Sequence, residues 1–370
     1  MIPLSLISYY ALAFLLAFLA SVILTVLARR LAYHFNFVDQ PSLARKIHQQ
    51  PIAYLGGAAI FLAFLLILPW FVVLDKKILA FLLAGALLLI IGTIDDKYNL
   101  KPLHKLIWQA LACLVVIAGG IGISSITNPL GGVIILDSIV FPFQLGDLLF
   151  SITLLADIFA FGWIMVMINT MNFLDGLDGL AAGVGTIGAF TVFILSLLPI
   201  VNQPQTAMIA LILAGCILGF LVFNFHPASI FMGDGGSMLI GMSLATLSII
   251  ANGKIATTLL VLGLPLLDVV LVILRRIFID HRLPWLADRK HFHHRLLSIG
   301  LNQRKSVIIV YIFCSIFGIS ALFLGSSQKL IALGIMALAI FSLFAIVLFL
   351  ERKRAQPTNN PPQASPLLQP

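Results

Sequence analysis

Charge is scarce in this sequence: 10% of its 370 residues are Asp, Glu, Lys or Arg, against 61% hydrophobic residues. With a mean hydropathy of +1.12, that scarcity excludes a string of soluble domains and places the chain in a bilayer. Cysteine is nearly absent. Cys113, Cys216 and Cys314 fall inside apolar runs without paired or metal-ligand spacing, which excludes a disulfide framework and leaves them as small core residues. No period of about 20 to 50 residues recurs, so a repeat architecture is excluded. Glutamate is the rarest acid, since 13 of the 14 acidic residues are Asp.

Apolar runs long enough to cross a hydrocarbon core are what the chain has in abundance. Eleven are expected, near residues 5–28, 54–74, 78–94, 106–124, 151–171, 179–200, 207–224, 237–251, 256–278, 304–325 and 330–350. The first is too long and too poor in N-terminal charge for a cleaved signal peptide, and Arg29 and Arg30 follow it as a stop signal. The expected class is an all-α integral membrane protein, a bundle of about eleven transmembrane helices joined by short polar loops. One polytopic transmembrane domain would fill residues 1–350, and residues 351–370 would form a disordered tail.

Threading those spans from an outside N-terminus gathers residues 29–53, 95–105, 172–178, 225–236, 279–303 and 351–370 on one side. All 22 Lys and Arg residues except Lys76, Lys77, Lys254 and Lys329 lie in or beside those segments, the positive-inside bias that makes this side cytoplasmic. The formal charge of +8 then reflects topology and anionic headgroups, and nucleic acid is not needed to explain it. Between residues 129 and 147, on the other side, Val, Ile and Phe bounded by Gly and Pro predict a short hairpin.

The acids are unevenly placed. Asp95 and Asp96 end the third span, Asp175 and Asp178 follow the fifth, Asp234 follows the seventh, and Asp280 and Asp288 follow the ninth. A carboxylate deep in a bilayer costs about 2.5 to 3.5 kcal/mol on insertion scales, so acids gathered at span ends line water or a site. Ordinary interfacial solvation is the plainer explanation for any one of them.

Four constellations stand out. In Gly92-Thr93-Ile94-Asp95-Asp96-Lys97, adjacent carboxylates repel, and a divalent cation relieves the repulsion unless one acid acts as a base or the pair merely ends a helix. In the segment from Asn169 to Gly183, polar side chains fall every third residue, so a continuous helix would align Asn169, Asn172, Asp175 and Asp178 on one face. In Asn224 to Ser237, Asp234-Gly235-Gly236-Ser237 precedes a span. Free N–H groups and glycines there suit phosphate oxygens or a metal, Asp234 could equally be an N-cap, and Phe231 offers a face for a base. In Asp288 to Arg295, His291-Phe292-His293-His294 could hold zinc, but no Cys or Glu completes the set. An Arg, Lys and His cluster suits a diphosphate better, with a solvated basic loop as the bland alternative.

In order and spacing these pieces resemble the polyprenyl-phosphate N-acetylhexosamine-1-phosphate transferase family over nearly the whole chain. An early Arg45-Lys46-x-His48, with Pro51 and Gly56-Gly57, belongs to the same likeness. The resemblance implies ten or eleven transmembrane helices around a Mg²⁺-dependent cytoplasmic cleft, with Mn²⁺ as the substitute ion, in the bacterial inner membrane. It implies UDP-N-acetylglucosamine (UDP-GlcNAc) as donor and undecaprenyl phosphate as acceptor, and leaves a homodimer open. The translocase branch of peptidoglycan synthesis, which takes UDP-MurNAc-pentapeptide, carries consecutive histidines, whereas His291-Phe292-His293-His294 is similar to the UDP-GlcNAc branch. Asn99 and Leu100 stand where some members place a lysine, so Lys97, Lys101 or Lys105 would supply that charge.

By the same resemblance, Asp234 is the expected principal metal ligand. Asp95 would be the base or nucleophile and a second ligand, with Asp96 assisting. Asn172, Asp175, Asp178, Asn224 and Phe231 would orient the nucleotide and metal. His291, His293 and His294 would contact the diphosphate or sugar, and Lys46 and His48 the substrate. Two rivals fare worse. A secondary transporter needs midplane acids, for which Asp157 and Asp268 alone qualify, together with an internal repeat that is missing. A lipid phosphatase needs a nucleophilic histidine with paired arginine motifs, which are also missing.

Overall fold

A computed structural model of the protein describes residues 4–40, 51–127, 132–145, 148–251, 255–281 and 291–355. Lys46, His48, Asp288 and the expected tail beyond residue 355 lie outside the described residues.

Among the described residues the long apolar runs form α1 (Leu4–His34), α3 (Lys76–Tyr98), α5 (Leu154–Leu174), α6 (Leu180–Leu197), α7 (Pro204–Asn224), α8 (Gly233–Ile250), α9 (Ile255–Phe278), α11 (Gln303–Phe323) and α12 (Ser326–Ala355). These nine are long and apolar enough to cross a membrane. Two shorter apolar helices, α2 (Gly56–Ile67) and α4 (Pro102–Ala118), fall where two more of the eleven spans were expected. The protein is thus an all-α, multi-pass membrane protein. A twelfth helix, α10 (Phe292–Ser298), is too short to span anything.

The two shorter helices have identifiable stops. Pro69 lies in a 3-10 turn, Leu68–Trp70, and cannot supply the N–H that would continue α2. Pro102 opens α4, and Gly120, at φ 86°, follows its end. The fifth span begins at Leu154, three residues later than expected. Residues 148–153 are in a strand, and Asp157 accepts the Thr153 N–H at 2.8 Å in the first turn.

The strands are small additions. Antiparallel β1 (Val38–Asp39) and β2 (Ile52–Ala53) connect α1 to α2. Where one hairpin was expected, the structure has two ladders: β3 (Ser125–Thr127) pairs with β4 (Val133–Ile135), and β5 (Val140–Leu145) with β6 (Leu148–Thr153).

Burial follows the bilayer's logic. Large apolar side chains such as Ile23, Ile90, Ile158 and Phe323 point outward, where lipid tails are as apolar as any core. Between helices, small residues take over: Gly215 and Gly219 of α7 sit against the Phe14 and Phe18 carbonyls of α1, beside Ala17 and Ser21. α8 is the centre, buried along nearly its whole length. It achieves this through glycine, with Gly236 facing Gly57 of α2, Gly235 facing Gly92 of α3, and Gly241 facing the Met167 carbonyl of α5.

Candidate active site

A cleft of about 1640 Å³ opens at one end of the bundle. Its walls come from the C-terminal ends of α1, α3, α5 and α7 and the N-terminal ends of α4, α8 and α11. The antiparallel threading expected from the sequence brings those ends to one level. All five acids Asp95, Asp96, Asp175, Asp178 and Asp234 line it.

At its floor Lys105 of α4 joins two helices. Its Nζ lies 2.8 Å from Asp95 of α3 and also pairs with Asp234 of α8. Asp95 accepts the Leu100 N–H at 2.7 Å, which holds the α3–α4 corner, where Asn99 adopts a left-handed conformation. Asp96 accepts the Asp234 N–H at 3.0 Å. Gly233, at φ 75°, permits that approach, since a side chain there would meet the Asp96 carboxylate. Of the three lysines that could follow the acidic pair, Lys105 is the one in the site. Lys97 lies over the Tyr98 ring at 5.5 Å.

The segment from Asn169 to Gly183 is not one helix. α5 ends at Leu174, Asp175 forms its C-cap, and α6 begins only at Leu180. The polar residues still converge. Asn169 donates to Gln109 of α4 at 2.9 Å, and Asn172 donates to Ser237 of α8 at 3.1 Å. Asp178 accepts from the Ala228 N–H at 3.1 Å and pairs with His226 Nδ1 at 2.7 Å, anchoring the α7–α8 connection to the α5–α6 turn. Burial, reinforced by Asp234 and Asp178, pushes the Asp175 carboxyl up to about 8.

Several expected roles change on inspection of contacts. Asn224 touches the cleft but is buried, with Oδ1 accepting from the Gly179 N–H at 3.1 Å and Nδ2 donating to the Ile230 carbonyl at 3.0 Å. Both ends of its amide are spent on backbone, so it positions two loops. Gly235 and Gly236 lie in the first turn of α8, where they pack against Gly92 of α3 and Gly57 of α2. Of the histidines, His294 lines the cleft, whereas His291 and His293 are buried behind it. Burial, then the neighbouring His294 and His291, drives His293 toward its neutral form. Its Nε2 has no partner and faces Gly176. Phe231 does line the cleft, its ring 6.0 Å from that of Tyr54.

The walls also hold residues the sequence did not single out: Arg29, Arg30, Tyr33, Tyr54, Gln109 and His226. Arg29 and Arg30 read as a stop signal and His226 as part of a loop motif. Tyr33, Tyr54 and Gln109 sit in apolar or unremarkable contexts, so no local signal marked them.

Among the described residues no group of three or more His, Cys, Asp or Glu side chains forms a metal cage. Mg²⁺ rarely asks for one, since it is usually held by one or two carboxylates with substrate phosphates and water. The Asp95 and Asp234 carboxylates already share one cation, the Lys105 ammonium. Their hard oxygen donors and excess negative charge fit a divalent ion of that kind.

Comparison with known proteins finds relatives over most of the chain. The model of glycosyl transferase family 4 matches residues 78–252, which contain Asp95, Asp96, Asp175, Asp178 and Asp234. A Bacillus subtilis protein described as a probable undecaprenyl-phosphate N-acetylglucosaminyl 1-phosphate transferase is 32% identical over 347 residues, 92% of this chain and 89% of that one. A Mycolicibacterium smegmatis decaprenyl-phosphate N-acetylglucosaminephosphotransferase is 36% identical over 362 residues, 88% and 84% of the two chains. A Haemophilus influenzae undecaprenyl-phosphate alpha-N-acetylglucosaminyl 1-phosphate transferase is 29% identical over 317 residues, 81% and 82%.

Proposed function

The chain belongs to glycosyl transferase family 4, and we propose that its cleft moves N-acetylglucosamine 1-phosphate from UDP-GlcNAc to undecaprenyl phosphate. The observation that carries this reading is the convergence of Asp95 and Asp96 with the distant Asp234 at one end of a membrane bundle, Asp95 and Asp234 sharing Lys105 and Asp96 accepting the Asp234 N–H. The printed descriptions of the relatives point to the same sugar and carrier class. The basic residues of the surrounding segments favour the cytoplasmic side for this end.

In the reaction a phosphate oxygen of the lipid attacks the β-phosphorus of UDP-GlcNAc. The bond from that phosphorus to the bridging oxygen breaks, and UMP leaves with the electron pair. One diphosphate replaces another, so the bond energies nearly balance, and the protein must supply alignment and charge neutralisation. Asp234, with Asp95, would hold Mg²⁺, which supplies charge neutralisation on the diphosphate when bound. Lys105 brings a fixed positive charge to the same level. Asp95 is the candidate base, or the nucleophile of a two-step route. Asp96 fixes the start of α8 through the Asp234 N–H. Phe231 and Tyr54 present aromatic faces for the uracil.

Purified protein given Mg²⁺, undecaprenyl phosphate and UDP-GlcNAc should release UMP. Asp234→Asn should abolish release while leaving the unfolding temperature within a few degrees of wild type. Normal turnover by that variant would refute the metal assignment. Turnover of UDP-MurNAc-pentapeptide with UDP-GlcNAc ignored would refute the choice of sugar.

A further inference from the structure

Between α4 and α5 the chain forms two ribbons that the cleft does not use. α4 begins at the cleft and α5 ends there, so β3–β4 and β5–β6 lie at the opposite end of the bundle. Their base is part of the fold. Ile121 and Ile123 are buried, the Leu136 N–H donates to the Ser124 carbonyl at 2.8 Å, and the Leu154 N–H donates to the Ile139 carbonyl at 3.0 Å. Beyond that base the ribbons are bare. Val133, Ile134 and Ile135 are exposed in succession, Ile135 by 63%, and so are Ile139, Val140 and Phe141, the last by 56%. Successive side chains of a strand point to opposite faces, so among the described residues no protein covers either face here. A two-stranded ribbon is marginal in water without packing on a face, and clustered bare apolar side chains mark a contact surface.

Charge decides what that surface touches. Residues 106–253 contain no Lys or Arg, and residues 119–153 hold two acids, Asp137 and Asp147. Such a segment offers no cation to anionic headgroups or to an acidic partner, which leaves apolar contact. The exposed surface also continues into the lipid-facing wall of the bundle, since Ile152 of β6 and Leu155 and Ile158 of α5 all point outward. We propose that both ribbons are seated in the lipid interface of the leaflet opposite the cleft, with their apolar side chains reaching the acyl-chain boundary. The backbone sets the depth. Each ribbon has two strands, so its outer edges carry unpaired N–H and C=O groups. Those groups rule out the hydrocarbon core, whereas headgroups and water satisfy them at the interface. The proposal does not depend on the transferase reading.

Nitroxide labels on single introduced cysteines test it, because Cys113, Cys216 and Cys314 are buried. Full-length Ile135→Cys and Phe141→Cys, one position on each ribbon, are reconstituted in phosphatidylcholine vesicles with wild type as the labelling control. Collision with oxygen, which concentrates in lipid, is compared with collision with a water-soluble nickel chelate present on both sides of the membrane. Lys77→Cys, exposed near the start of α3 at the same end, is the water reference, and Ile158→Cys is the lipid reference. At both ribbon positions the oxygen-to-nickel ratio should exceed that of Lys77→Cys several-fold and approach that of Ile158→Cys. Mixing phosphatidylglycerol into the vesicles should leave it unchanged. A ratio at the Lys77→Cys level would put the ribbons in water and overturn the proposal. Weak collision with both reagents would mean a protein neighbour, a second copy of this chain included, and would overturn it too. A ratio that rises only with phosphatidylglycerol would overturn the apolar basis of the contact.

Discussion

Replacing Gly92 by alanine would put a methyl group well inside 3.0 Å of the Gly235 backbone and 2.9 Å from the Asp234 carbonyl carbon. The obstacle is main chain of a fully packed helix, so no side chain can rotate out of the way. α3 and α8 must separate by on the order of 1 Å, at a packing cost of about 1–3 kcal/mol. Gly92 is less than one turn from Asp95, and Gly235 adjoins Asp234. The displacement therefore falls on the Asp95–Lys105–Asp234 arrangement itself. Misplacement of about 1 Å costs on the order of 100-fold in rate. UMP release by Gly92→Ala should fall by about that factor, with a modest drop in unfolding temperature in detergent. Gly162→Ala is the matched control. It lies in α5 with nothing within 4 Å of the added methyl, and should keep full activity, with stability equal or raised by about 0.5–1 kcal/mol. Wild-type turnover by Gly92→Ala would refute the claim that backbone contact between α3 and α8 sets the acid geometry.

Two further predictions concern the neighbouring loops. Asp175, raised to about 8 by burial first and nearby acids second, is neutral in native and unfolded chains below about pH 4. As pH rises toward about 8 the unfolded carboxyl ionises first, so this group lowers stability increasingly over that window and fully above it. In metal-free protein, Asp175→Asn should therefore gain unfolding temperature over wild type progressively from about pH 5 to about pH 8, and a pH-independent difference would contradict the shift. Asn224→Ala strands the Gly179 N–H and the Ile230 carbonyl, both backbone groups bonded to its buried amide. A loss of about 1–3 kcal/mol per stranded group is expected in denaturant unfolding, and a loss of activity with no change in stability would instead make Asn224 a substrate contact.

The bundle was legible because its signal is compositional. Long apolar runs, and basic residues on alternate loops, set the number of spans and the end at which they meet. The acids were legible for a related reason: polar groups at span ends are costly enough to stand out against an apolar background, and Asp95, Asp96, Asp175, Asp178 and Asp234 all proved to share a cleft. What the pattern could not carry was the direction of each side chain. A three-residue spacing read as one helical face is in fact two residues on α5 and two on a turn. His291, His293 and His294 are consecutive enough to read as one cluster, yet only His294 reaches the cleft wall, because Asp268 pulls the start of α10 into the bundle.

Glycine carried the deepest ambiguity. Gly233, Gly235 and Gly236 beside an aspartate read naturally as a loop that wraps an anion, and the same residues serve equally well to let helices touch. Tertiary packing decides between these uses, and it decides differently within four residues: Gly233 bends to admit the Asp96 carboxylate, while Gly235 and Gly236 admit α3 and α2. The two uses support each other. Asp96 can reach the Asp234 N–H because α3 lies directly against α8, so the packing glycines are the reason carboxylates from separate helices can share a single lysine. A site built from short Asp side chains needs backbones this close, whereas longer Glu side chains could bridge a wider gap. That requirement gives a physical reason for acids that are almost all aspartate, set beside glycines on the helices that meet.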